Sequence, residues 1–249
     1  MKTALVTGAS GGIGLEIARV LSADHDLVLV ARSAARLGEI AGELRGARVL
    51  AIDLAEPDAV ARVVAEVPAV DVLVNNAGVG DFSMFAEADP AKLDSLIALN
   101  IGALTRLTRA YLPGMIERKH GSVLNVASTA AFQPGPLMAV YYASKAYVLS
   151  LSEALAEEAR GTGVTVTALC PGPTESGFQA GAAMEGSRLV RGRTLPTAAS
   201  VAAYGVAAMR KGDVVAVPGV MNKVFASSIR VTPRAVVRRV VHRMQRAND

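Results

Sequence analysis

The sequence predicts a doubly wound α/β domain, with a mostly parallel central sheet and helices on both faces. Three observations predict it. Short runs of Val, Leu and Ile recur at 3–6, 27–31, 49–52, 70–74, 122–126, 164–169 and 214–217, and their near-continuous apolarity, without clean alternation, suits strands covered on both sides. Segments with helical periodicity lie between the early runs. The 249 residues are 51% hydrophobic and 19% charged, with a mean hydropathy of +0.36, which supplies a sizeable core and excludes a disordered chain.

Taken in order, the first run leads into the glycine-rich turn Thr7-Gly8-Ala9-Ser10-Gly11-Gly12-Ile13-Gly14 and then into a helix marked by Ile13, Ile17, Val20 and Leu21. Leu37, Ile40 and Leu44 mark a helix after the second run, and Val60, Val63 and Val64 one after the third. Such alternation places ligands at the carboxyl ends of the strands. No internal repeat or linker divides the chain, so one domain over residues 1–249 is expected. Residues 174–195 hold glycines, alanines and Met184 without strong periodicity. Residues 220–249 form a basic extension, in which Val236, Val237, Val240, Val241 and Met244 make an apolar helical stripe beside Arg234, Arg238, Arg239 and Arg243.

Several classes are excluded by composition. One cysteine, Cys170, makes no internal disulfide, and His25, His120 and His242 have no metal-ligand spacing. No apolar run approaches the ~20 residues that span a bilayer and no signal-peptide pattern opens the chain, so a cytoplasmic protein is expected. Residues 1–217 carry 19 Lys/Arg against 21 Asp/Glu, whereas residues 218–249 carry seven Lys/Arg and one Asp. The basic character belongs to the tail, and the body has no basic stripe or aromatic signature for nucleic acid.

The glycine turn has a chemical reading. Gly8, Gly12 and Gly14 let backbone approach a pyrophosphate closely, and the free N–H groups and dipole of the following helix attract it. The spacing is G-x-x-x-G-x-G rather than G-x-G-x-x-G, and no Lys-Ser or Lys-Thr follows, so this is not a Walker A loop. Taken alone, the turn could be a tight strand-to-helix connection.

With two further motifs in register, the chain resembles the short-chain dehydrogenase/reductase family. TGASGGIG at 7–14 resembles the family's cofactor loop, Asn75-Asn76-Ala77-Gly78 its NNAG motif after the fourth strand, and Tyr141-Tyr142-Ala143-Ser144-Lys145 its YxxxK helix. Pro171-Gly172 resembles its turn after the sixth strand. The resemblance implies a Rossmann-like sheet that binds a nicotinamide dinucleotide. The dinucleotide is then expected against Gly8, Ser10, Gly11, Gly12, Ile13 and Gly14, against Arg32, Ser33, Asp53 and Leu54, and against Asn76, Ala77, Gly78, Tyr141, Lys145, Pro171, Gly172 and Thr174.

NADP(H) is the expected form of that cofactor. An acid at the end of the second strand would take both ribose hydroxyls of NAD and repel a 2′-phosphate. The strand ends instead in Ala31-Arg32, and Arg32 offers a planar, permanently charged fork, with Ser33 and Arg36 as further donors. An uninvolved, solvated Arg32 is the alternative, and it would leave an NAD-dependent dehydrogenase. Gly11 stands where some NADP-dependent relatives carry a basic residue. Asp53 resembles the family residue at the adenine amino group, and it also suits a helix cap near Pro57.

The chemistry centres on Tyr141 and Lys145, four residues apart and so on one helix face. A nearby ammonium favours the phenolate of a group whose reference pKa is ~10, and Tyr141 is expected to be the general acid/base. Tyr142 has Ala146 as its i+4 neighbour, which cannot tune it. Ser128, ending the fifth strand, suits stabilisation of the substrate oxygen; Thr129 competes, and the resemblance selects Ser128. Asn100 matches the family's active-site asparagine, which positions Lys145 and supports proton relay. Cys170 reads as a buried small hydrophobe.

Expected substrates are carbonyl compounds or secondary alcohols, apolar or of moderate size. Residues 174–195 resemble the family's lid, while 132–137 and 82–85 either line the pocket or pack in the core. By resemblance, the helices around 104–115 and 141–155 pair across a twofold, giving a homodimer or homotetramer. The basic tail can lie on an anionic membrane or grip an acidic carrier; the simpler expectation is that its stripe packs on its own domain or a second subunit. A catalytically silent NADP-binding regulator or scaffold is the alternative of a different class.

Overall fold

The structure, a computed structural model, describes residues 2–44, 46–182, 194–229 and 231–245. Seven strands, β1 (Lys2–Thr7), β2 (His25–Ala31), β3 (Arg48–Ala51), β4 (Val72–Asn75), β5 (Gly121–Val126), β6 (Val164–Leu169) and β7 (Val215–Ala216), form one sheet in the order β3-β2-β1-β4-β5-β6-β7. Every pairing is parallel. All seven apolar runs become strands, with no end shifted by more than two residues. The fourth begins late because Asp71 is engaged with β1: its carboxylate accepts from the Thr3 N–H at 2.8 Å and its own N–H donates to the Thr3 carbonyl at 2.8 Å.

Alternate residues of each strand enter different layers, which explains the runs' near-continuous apolarity. Ala4, Val6, Leu27 and Leu29 pack beneath α1 (Gly12–Leu21), α2 (Ala34–Glu43) and α8 (Ala198–Lys211). Leu5, Val28, Val30 and Leu73 face the other way, toward α3 (Ala59–Glu66) and α5 (Leu104–Glu117). Helix α6 (Ala139–Glu158) lies on this second face, where Val148 and Leu149 pack with Ala168 and Cys170. Burying both faces of the central strands makes the sheet the rigid floor on which loops can be held.

Strand order reverses between β1 and β4, and in sheets of this kind the crevice at such a reversal takes the ligand. The turn after β1, residues 76–78 after β4, Ser128 after β5 and Pro171-Gly172 after β6 all follow carboxyl ends on that side. Between β4 and β5, α4 (Pro90–Ile97) runs into α5 through a π-helical turn, Ala98–Ala103. Asn100 sits in that turn, a widening of the helix that often marks a functional position.

A short helix, α7 (Phe178–Gly181), follows β6, and Glu175 is tied to the approach to α8 by an N–H bond to the Pro196 carbonyl at 2.9 Å. Within the expected lid, residues 183–193 lie outside the described residues. The tail forms α9 (Val220–Ser228) and α10 (Arg234–Gln245). The expected apolar stripe of α10 splits. Val237 and Val241 are buried against Ala130, Met138, Tyr142 and Ala182, whereas Val236 and Val240 are 47% and 44% exposed beside the exposed arginines. At 100° per residue, the buried pair continues to Gln245, also fully buried, rather than to its neighbours in the stripe.

Candidate active site

The phosphate-binding turn is held by close backbone contact. Gly8 has a φ of +65°, and a Cβ there would lie 2.7 Å from Asn76 Nδ2 and 2.9 Å from Ala77 Cα. A Cβ on Gly14 would lie 2.4 Å from the Gly8 carbonyl oxygen. Any side chain at either position would therefore push the turn away from β4. Asn76 staples the turn, donating to the carbonyls of Thr7 at 3.0 Å and Gly8 at 3.1 Å, while Thr7 Oγ1 accepts from the N–H groups of Asn76 and Ala77, both at 3.0 Å. Helix α1 starts after Gly11 with no side-chain cap and no acid in its first turn, so the opening N–H groups, around Ser10, Gly12 and Ile13, suit an anion.

At the end of β2, Arg32 is exposed and has no hydrogen-bond or ion-pair partner among the described residues. Arg36 is engaged by Glu39 at 2.7 Å, and Ser33 caps α2 by accepting from the Arg36 N–H at 3.3 Å. Asp53 Oδ1 accepts from the Ala55 N–H at 3.0 Å, closing a local turn rather than capping α3, which begins after Asp58. Leu54 beside it is buried.

The four chemically suited side chains, Asn100 in the π-turn, Ser128 after β5 and Tyr141 and Lys145 on α6, sit near one another. A Cβ on Gly78 would lie 3.2 Å from Asn100 Oδ1 and 3.5 Å from Lys145 Nζ, so the loop after β4, the π-turn and α6 converge at one point. Asn100 is fixed on three sides: its Oδ1 accepts from the Val79 N–H at 3.0 Å, and its Nδ2 donates to the Val79 carbonyl at 2.9 Å and to Ser144 Oγ at 3.1 Å. Ser144 in turn donates to the Tyr141 carbonyl at 2.7 Å. Lys145 is buried and donates to the Val126 carbonyl at 2.8 Å, with Nζ 5.8 Å from the centre of the Tyr141 ring. Its other two N–H groups suit ribose hydroxyls. Ser128 accepts from the Ala130 N–H at 3.1 Å and reaches the Pro171 carbonyl at 3.4 Å. Nearby, Thr174 donates to the Gly172 carbonyl at 2.9 Å.

Burial dominates the proton affinities here. It pushes the Tyr141 phenol up from its ordinary value near 10, against a smaller downward pull from the Ser128 hydroxyl. The same loss of water brings the Lys145 ammonium down to about 8. Sequence spacing alone points to an ammonium that lowers the phenol; in the structure, loss of water acts on the phenol in the opposite direction. Cys170 is buried with its thiol pushed up to about 12, which keeps it unreactive.

Sequence reading gave Phe178 no part in this site, dismissed Tyr142, and did not find the partners of Asn75. Phe178 of α7 lies 5.2 Å, centre to centre, from the Tyr141 ring. Tyr142 is buried, meets Tyr141 edge-on at 6.0 Å and is hydrogen-bonded by Gln245 of α10. Its i+4 neighbour was no guide, since the partner lies 103 positions away. Beneath the site, Asn75 donates to Thr108 and Asn125, and Asn125 to Ser152, a buried chain that ties β4 and β5 to α5 and α6. Asparagines ending two adjacent apolar strands were the available signal.

A parallel sheet with this reversal, a glycine turn under a free helix end, and a Ser/Tyr/Lys/Asn cluster define a nucleotide-binding oxidoreductase architecture. Residues 2–185 match the family described as short chain dehydrogenase. A short chain dehydrogenase of Pseudocercospora fijiensis is 40% identical over 187 residues, which cover 70% of this chain and 60% of that protein. A short-chain dehydrogenase from Sphingobium yanoikuyae in complex with NADPH superposes with a TM-score of 0.80 at 29% identity, over 94% of this chain and 98% of that one. A metagenomic short-chain oxidoreductase in complex with NADP gives 0.64 at 40% identity, over 69% and 82%. The chain belongs to the short-chain dehydrogenase/reductase family, oxidoreductases that use a nicotinamide cofactor.

Proposed function

We propose that this protein is an NADP(H)-dependent carbonyl reductase in which Tyr141 donates the proton to the substrate oxygen. The observation that carries the reading is the convergence at one point of the half-buried Tyr141, Ser128 and the Lys145 ammonium, which lies 5.8 Å from the Tyr141 ring centre on the same helix. Bound NADPH supplies the hydride. The chain's own residues do the rest. The first-turn N–H groups of α1 hold the pyrophosphate, Asp53 faces the adenine, and the exposed Arg32 takes the 2′-phosphate as a charge-assisted fork. Two relatives with bound NADPH or NADP support this choice of cofactor.

Lys145 holds the nicotinamide ribose through the donors that Val126 leaves free, and Asn100 keeps the base of the site in register through Val79 and Ser144. Ser128 donates to the substrate oxygen as negative charge develops there, and Tyr141 passes its proton to that oxygen. Burial favours the protonated phenol from which reduction starts. Phe82 and Phe178 give the substrate side an apolar lining, and Ala143, Tyr147 and Ser150 leave a mostly small exposed face on α6 that fits pairing with a second copy. The test is NADPH oxidation against ketones, aldehydes, quinones and 3-oxoacyl thioesters. Turnover of at least one class is expected; tight NADPH binding with no turnover across all four would favour a silent, cofactor-binding role.

A further inference from the structure

The last two helices leave apolar side chains uncovered. Val231, Met221 and Val220 are the three most exposed large hydrophobic residues among the described residues, at 85%, 78% and 76%. On α9, Val220, Val224 and Met221 fall within an arc of about 100°, with the exposed Lys223 on its flank. On α10, the docking of Val237 and Val241 turns the opposite side outward. There the exposed Val236 and Val240 lie one turn apart, with Arg239 and Arg243 beside them. Val231 stands on the connection between the two helices.

The charge around these side chains has one sign. Residues 218–248 hold seven Lys/Arg and no Asp or Glu, whereas residues 1–217 hold 19 Lys/Arg and 21 Asp/Glu. Lys223, Arg234, Arg238, Arg239 and Arg243 are all exposed. The ion pairs among the described residues all lie between Glu16 and Asp213, outside this stretch. Lys223 alone has an aromatic neighbour, 5.7 Å from the centre of the Tyr204 ring. The molecule therefore carries its positive charge and its most exposed apolar side chains on the same two helices.

We infer that α9 and α10 dock the protein on the surface of an anionic lipid bilayer, independently of the reaction proposed above. Charge complementarity selects this occupant: a surface bearing only cations matches anionic headgroups. The long stems of Arg and Lys let their charges stay at the headgroups while the valines and Met221 enter the acyl boundary. A second copy fits poorly, because a twofold contact sets the patch against itself, cation on cation. An acidic protein would satisfy the charges, but side chains this exposed protrude, and a fluid apolar phase covers them without a matching pocket. Helices of 9 and 12 residues fall short of the ~20 that cross a bilayer, so the contact lies in the interface.

Co-sedimentation of the full-length protein with vesicles of phosphatidylcholine, alone or mixed with phosphatidylglycerol, tests the inference. The parent is expected to bind the mixed vesicles at least about tenfold more tightly than the neutral ones, and to release them in about 1 M salt, where screening acts within ~3 Å. Each cation near such a surface is worth about fivefold in partitioning, so Arg239→Gln with Arg243→Gln is expected to weaken binding about twentyfold. Met221→Ser with Val224→Ser is expected to weaken it about tenfold. All four positions are exposed, so thermal midpoints within about 2 °C of the parent are expected and confirm that the variants fold. Absence of vesicle binding, equal binding to both vesicles, or binding that survives both double substitutions overturns the inference. So does a dimer in sedimentation velocity that Met221→Ser with Val224→Ser dissolves while vesicles go unbound, which assigns the patch to a second copy. Binding of soluble polyglutamate without binding of vesicles overturns it in favour of an acidic protein.

Discussion

Lys145 places its ammonium 2.8 Å from the Val126 carbonyl and 5.8 Å from the centre of the Tyr141 ring, on one face of α6 and out of water. The two groups respond to that burial in opposite directions. Tyr141 holds its proton more firmly and Lys145 holds its own less firmly, at about 8. A protonated phenol above a charged lysine is therefore the dominant state at neutral pH.

A pH dependence follows from those directions. Reduction needs Tyr141 protonated, a condition met across the working range, and Lys145 charged, a condition lost as pH rises through about 8. The kcat/KM for carbonyl reduction is expected to be level near neutrality and to fall above about pH 8; a profile level well beyond that point would contradict the assignment.

Lys145 also costs stability. Its folded value lies below the ordinary 10.5, so between about 8 and 10.5 the unfolded chain binds more protons and stability rises with pH. Lys145→Met is expected to abolish turnover, to raise the thermal midpoint by about 2–4 °C per kcal/mol gained, and to remove that rise. Thermal scans of both proteins across the alkaline range measure it, and a lower midpoint for the variant at neutral pH would count against the account.

Arg32 governs cofactor choice. Arg32→Asp removes a charge-assisted fork and sets a carboxylate against the 2′-phosphate, so the NADPH/NADH ratio of kcat/KM should fall by about tenfold or more. A Cβ on Gly11 meets nothing within 4 Å, and its extended backbone, φ 176°, accepts any residue. Gly11→Arg is expected to raise the same ratio. Steady-state kinetics with both cofactors check each change.

Asn100 fixes the base of the site by three hydrogen bonds from a buried position. Asn100→Ala orphans the Val79 backbone groups, so a loss of about 1–3 kcal/mol is expected in denaturant unfolding, with a larger loss in kcat than in NADPH affinity. Unchanged stability and unchanged kcat would remove its positioning role.

Much of this was legible locally. A strand buried on two faces writes a continuous apolar run, and a glycine turn before Ile13 and Ile17 writes its own helix start, so β1 to β7 and α1 stand close to their expected bounds. Tyr141 and Lys145 needed only a four-residue spacing. What stayed hidden depends on distant partners: the Asn75–Asn125 contact arises from strand register, Asn100 occupies a π-turn that no 3.6-residue pattern announces, and Tyr142 meets Gln245 only after the tail folds back. The α10 stripe was misplaced for the same reason. Periodicity grouped five apolar residues, but docking on α6 selected Val237, Val241 and a glutamine.

The most direct measurement compares the parent with Tyr141→Phe in NADPH oxidation, using whichever carbonyl substrate the screen finds, alongside NADPH binding by fluorescence. The variant keeps the ring that packs against Tyr142 and Phe178 and loses only the hydroxyl. The expected result is cofactor affinity within about twofold of the parent and a kcat lower by at least ~10²-fold, the scale of a lost general acid. A variant that turns over within a few-fold of the parent would contradict Tyr141 as the proton donor.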